Sequence, residues 1–164
     1  MGPFARAAAK ASPAASVKRV RILALDYGRR RIGLAISDEL GLTAQPLPVL
    51  LRKNRREDMS RLREIANANA VARIVVGLPL HLSGRHGEMA EEASRFASRL
   101  AKELGLPVEQ LDERLTSWEA EQLAKESERA KTADLDSISA AILLREYLET
   151  NKIGGESAGA AHTP

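Results

Sequence analysis

Three acidic positions stand where a folded chain could gather them. Asp26 closes the apolar run VRILAL (20–25). Asp112 and Glu113 close PVEQLDE (107–113), with Arg114 next. Asp134 and Asp136 open DLDSISAAILLREYLE (134–149). Taken singly, each has an ordinary structural use. Aspartate starts turns, caps helices and complements the positive end of a helix. Taken together, clustered carboxylates raise one another's pKa unless a cation neutralises them. Hard divalent ions such as Mg²⁺ and Mn²⁺ prefer such oxygen ligands. Two such ions about 3.5–4 Å apart can activate water and stabilise the leaving oxygen in phosphodiester cleavage.

Around Asp26 the chain reads ALDYGRRRIGLAI (24–36). Gly28 gives room for a tight turn, and Gly33 allows a close backbone approach. Arg29, Arg30 and Arg31 are candidate phosphate ligands, although three arginines on one short turn cannot all face the same way. Arg52, Lys53, Arg55 and Arg56 form a second basic cluster, read equally as a phosphate rim or a solvated helix start. His81 and His86 flank a glycine-containing loop without zinc-ligand spacing, and His81 is a candidate phosphate contact. Phe96 and Trp118 are read as core. With 3% aromatics the chain is poorly equipped to stack on unpaired bases.

These residues need elements to hold them. VRILAL and IGLAIS (32–37) read as a hairpin, and TAQPLPVLL (43–51), with Pro46 and Pro48, reads as an edge strand. Asn54 and Glu57 have capping-box spacing ahead of a stripe of Met59, Leu62, Ile65 and Ala66, which predicts a helix. RIVVGLP (73–79) is a short buried strand, followed by a loop. A second helix places Met89, Ala93, Phe96, Leu100 and Leu104 on one side and stops at Gly105. PVEQLDE is the fifth strand. A third helix starts near Ser117 behind the Thr116/Glu119 capping pair. The last helix, from 134, is apolar around much of its girth and should be well buried. The order β-β-β-α-β-α-β-α-α predicts an α/β fold. Its mixed five-stranded sheet has three antiparallel strands followed by parallel ones, with helices flanking it. Ligands of such sheets sit at the carboxyl ends of strands, where Asp26 and Glu113 fall.

Four stretches together resemble the YqgF-type nuclease family of the RNase H-like superfamily, a family associated with pre-16S ribosomal RNA and with Holliday junctions. They are ILALDYGRRRIGLAISD (22–38), IVVGLPLHLSG (74–84), LDERLTSWEAE (111–121) and LDSISAAILLREYL (135–148). The resemblance spans residues 20–150 and implies a ribonuclease H-like fold. It implies Asp26, Glu113 and Asp136, rather than Asp134, as catalytic metal ligands for Mg²⁺ or Mn²⁺, with two ions expected. Arg114, Thr116 and Ser117 share a motif with Glu113 and are expected at a phosphate or bracing the loop. The chain departs from the family at His81, where asparagine is common. It also has a shorter, less basic link before Asp136, in which Lys131 and Arg129 remain as substrate contacts. The implied partner is structured nucleic acid, with pre-16S rRNA favoured over a four-way DNA junction, for a monomer or homodimer.

Two other readings stay open on the residues. The D-x-G-x-x-x-x-G-x-A pattern is similar to the phosphate-binding hairpin of actin-like ATPases, although those use two such domains and the chain has room for one. A non-catalytic RNA-binding factor on the same fold is the other. The 164 residues suit one domain over 19–150, between a basic tail (1–18) and a small-residue tail (151–164), both expected to be disordered. The absence of cysteine excludes disulfides and thiolate metal sites and suits a reducing cytoplasm. No apolar run is long enough to span a bilayer. The net charge of +3 and pI near 9.4 lean towards a polyanionic partner.

Overall fold

The computed structural model describes residues 20–79, 87–113 and 135–161, with the backbone alone for Leu78, Pro79, Asp112, Glu113, Leu135 and 152–161. Five strands form one sheet: β1 (Arg21–Asp26), β2 (Arg31–Ser37), β3 (Ala44–Leu51), β4 (Val71–Pro79) and β5 (Val108–Glu113). Their order is β3-β2-β1-β4-β5. β1 pairs antiparallel with β2 and β2 with β3, whereas β1 to β4 and β4 to β5 are parallel. β3 lies at the edge, where Pro46 and Pro48 disrupt no interior ladder. This is the mixed sheet expected from the order of elements.

Among the described residues, two helices cover one face. In α1 (Arg55–Ala68) the Asn54 side chain accepts the Glu57 N–H at 2.9 Å, the expected cap. α2 (Glu88–Leu104) ends at Gly105, which takes the left-handed backbone (φ +67°) expected of a helix stop. Met59, Leu62, Phe96 and Leu100 bury against Leu23, Leu25, Leu34 and Val76 of the sheet.

On the opposite face α3 (Leu135–Ala161) packs Ala140, Leu144, Tyr147 and Leu148 onto Ala24, Ala35 and Val75. Small residues on the strands let this apolar helix lie close. The backbone of α3 stays helical through Ala161, beyond Glu149, where the apolar pattern of the last helix ends. Extending an existing helix is far cheaper than nucleating one, so Ala158, Ala160 and Ala161 continue it despite three glycines. The expected N-terminal tail (1–18), the loop after β4 and the helix from Ser117 lie outside the described residues. Among the described residues no helix is long and apolar enough to cross a membrane.

Candidate active site

The central strand β1 ends in Asp26, which pairs with Gly33 of β2 and Gly77 of β4. Strand alternation sends Leu23, Leu25 and Tyr27 into the core under α1 and α2. Ile22 and Ala24 go to the α3 face, so half-buried Asp26 belongs to the α3 face.

The start of α3 is brought to the same place by one glycine. A Cβ on Gly33 would overlap the backbone carbonyl of Asp136, so only glycine lets the first turn of α3 rest directly on β2. A hydrogen bond fixes the contact: the Leu34 N–H donates to the buried Ser137 hydroxyl at 3.2 Å. Gly33 is thus the shared neighbour of Asp26, through the ladder, and of Asp136, through contact. The Asp136 carboxylate is about one-third exposed and stands 3.4 Å from Arg31 Nε, which offsets part of the negative charge there.

Glu113 ends β5. Gly77, the partner of Asp26, also pairs with Leu111, and Pro79 pairs with Glu113. Glu113 therefore lies two residues beyond the level of Asp26 and two strands across, about 10 Å sideways at ordinary strand spacing. All three acids stand at the carboxyl end of the parallel strands. Their oxygen donors are of the kind a hard divalent ion takes. Among the described side chains no three metal-type ligands gather. The described part of the set is Asp26 and Asp136, and for Glu113 it is the backbone position.

The three arginines have separate fates. Arg29 reaches α2, where Nε and Nη2 donate to Glu92 at 3.1 and 2.9 Å, with Glu88 at 3.6 Å. The hydrogen bond from Arg29 holds the Glu92 carboxyl below its ordinary pKa. Arg31 faces Asp136. Arg30 is exposed, with no ion pair among the described residues. Gly28 closes the turn, and a Cβ there would overlap the Arg31 carbonyl oxygen. Arg114, Thr116, Ser117, His81 and Lys131 lie outside the described residues.

Sequence reasoning missed a part-buried strut beneath this turn. Arg52, read with its neighbours as a phosphate rim or a solvated helix start, is turned inward. It donates to Asp58 at 3.1 Å, to the Tyr27 hydroxyl at 2.9 Å and to the Gly28 carbonyl at 3.1 Å. It also lies over the Tyr27 and Phe96 rings, 5.0 and 5.5 Å from their centroids. Asp58 is only 2% exposed and also accepts the Lys53 N–H at 3.0 Å. Burial alone would lower the Arg52 pKa, but its hydrogen bonds to Tyr27 and Asp58 outweigh that and raise it. The available signal was Asp58 itself, an acid beside Met59 on the apolar stripe of α1.

A mixed five-stranded sheet in the order β3-β2-β1-β4-β5, antiparallel then parallel, with helices on both faces, is the RNase H-like fold. Thermus thermophilus RuvC, solved in complex with a Holliday junction substrate, shares this fold. It has a TM-score of 0.53 at 16% identity, covering 81% of this chain and 96% of that one. The family model described as RuvX, Holliday junction resolvase, matches residues 20–150, and the chain belongs to that family. It is 50% identical over 139 residues to a Koribacter versatilis protein named "Putative pre-16S rRNA nuclease", spanning 83% of this chain and 91% of that one. A Symbiobacterium thermophilum protein of the same name is 45% identical over 79% of this chain and 92% of its own length. The chain is accordingly an enzyme of the nuclease class.

Proposed function

We propose that the chain is a divalent-metal-dependent endonuclease of structured RNA, acting on the 5′ end of pre-16S rRNA. The observation that carries this reading is the contact of Gly33 with Asp136, which fixes the start of α3 beside Asp26. Asp26, Asp136 and Glu113 would hold Mg²⁺ or Mn²⁺. The ions when bound would activate water and stabilise the leaving oxygen. The protein's own contribution is positional. The Ser137–Leu34 hydrogen bond holds Asp136 in register with β2, Arg31 offsets carboxylate repulsion, and exposed Arg30 offers a phosphate contact. RNA is favoured by the names of relatives that match nearly along their whole length. Processing of precursor rRNA implies the cytoplasm as the compartment, for a monomer or homodimer.

A four-way DNA junction is the second reading, favoured by the description of the family model. Purified protein should be compared on precursor 16S rRNA, linear RNA and a four-way DNA junction with Mg²⁺ or Mn²⁺. Specific cleavage of the precursor supports the first reading. Paired cleavage of the junction with the precursor untouched replaces it with the second.

A further inference from the structure

The sheet face opposite Asp26 carries a basic groove. Two adjoining cavities of about 510 and 820 Å³ run from the β1–β2 turn between α1 and α2. Among the described residues, eight cationic side chains line them against two acids, Asp58 and Glu92. Both acids are already engaged, Asp58 by Arg52 and Glu92 by Arg29. Arg30, Lys53, Arg55, Arg95 and Arg99 form no ion pair among the described residues, so the groove holds a large excess of positive charge. Arg95 and Arg99 are one helical turn apart on α2 and share a face. The aromatic rings at the floor, Tyr27 and Phe96, are 8% and 3% exposed, so among the described residues the groove offers no platform for stacked bases. Such a surface suits a phosphate backbone, recognised without regard to sequence.

The groove is also close to the acids. Asp26 and Tyr27 are consecutive and face opposite sides of the sheet at its carboxyl rim. A nucleic acid lying across that rim meets both.

We propose that the α1–α2 groove is a second nucleic-acid contact, gripping the phosphate backbone of the substrate arm beyond the cleaved strand. This rests on the nuclease reading above and adds a surface to it. The test is fluorescence anisotropy with a labelled long-armed RNA hairpin, in an Asp26→Asn background that prevents cleavage. Arg95→Gln/Arg99→Gln is compared with Arg145→Gln, which changes an exposed residue of α3. The groove variant should bind at least about tenfold more weakly near 0.1 M salt. The slope of log K against log salt should flatten by about 1.4–1.8, for two phosphate contacts. Arg55→Gln should weaken binding in the same direction, and thermal melting should show each variant folded. A groove variant with the affinity and salt slope of Arg145→Gln overturns the proposal. An Asp26→Asn parent that binds no nucleic acid overturns the nuclease reading itself.

Discussion

Replacing Gly33 with alanine tests how the site is assembled. The added methyl would overlap the Asp136 carbonyl, backbone against backbone, so no side chain can swing aside to make room. The first turn of α3 must lift from β2. Overpacking of this kind costs about 1–3 kcal/mol. Losing the Ser137–Leu34 hydrogen bond adds about 0.5–1.5 kcal/mol. A total near 2–4 kcal/mol lowers the Tm of a domain this size by roughly 6–15 °C. Activity should fall further than stability, because a shift of about 1 Å in a catalytic group can cost on the order of 100-fold. Calorimetry and single-turnover cleavage well below the melting range measure the two effects separately. Ser137→Ala removes the hydrogen bond without the clash and should show the smaller loss in both. A Gly33→Ala protein that melts within a degree or two of the wild type and cleaves at its rate would refute the close approach.

Other perturbations have defined outcomes. Asp58→Ala leaves Arg52 part-buried without its carboxylate and should cost about 2–3 kcal/mol in urea denaturation, below a fully buried pair because Arg52 stays partly exposed. Asp38 accepts the Leu42 and Thr43 N–H groups at 2.6 and 2.9 Å, and the backbone hydrogen bond from Thr43 leads in lowering its pKa. A depressed folded pKa means stability present above the unfolded carboxylate value and lost as pH falls through the folded one. Asp38→Asn should therefore flatten the loss of Tm below about pH 4. Arg29→Gln should return the Glu92 pKa towards its ordinary value, an upward shift readable by NMR titration.

Much of this arrangement was legible in the sequence because it is local. The Asn54 cap, the Gly105 stop, the prolines of an edge strand and the apolar girth of α3 each state their structure within a few residues. The placement of Asp26 on a central strand followed from the order of elements. The fates of Arg29 and Arg31 did not, since their partners Glu92 and Asp136 are distant in sequence and the turn alone treats the arginines alike. Arg52 was misplaced for the same reason: its charge suggests solvent, while Asp58, Tyr27 and Phe96 make an interior berth for it. The extent of α3 was underestimated because composition alone does not register a helix propagating from a docked segment.

In the proposed chemistry, Asp26 and the acids near it cut nucleic acid with a divalent ion. Its most direct measurement is cleavage of precursor 16S rRNA by purified wild-type and Asp26→Asn protein, with Mg²⁺ or Mn²⁺ and with chelator. Wild-type protein should cleave only with the metal, and the variant should lose at least about 100-fold while still binding the RNA. Undiminished cleavage by Asp26→Asn, or full activity in chelator, would contradict it.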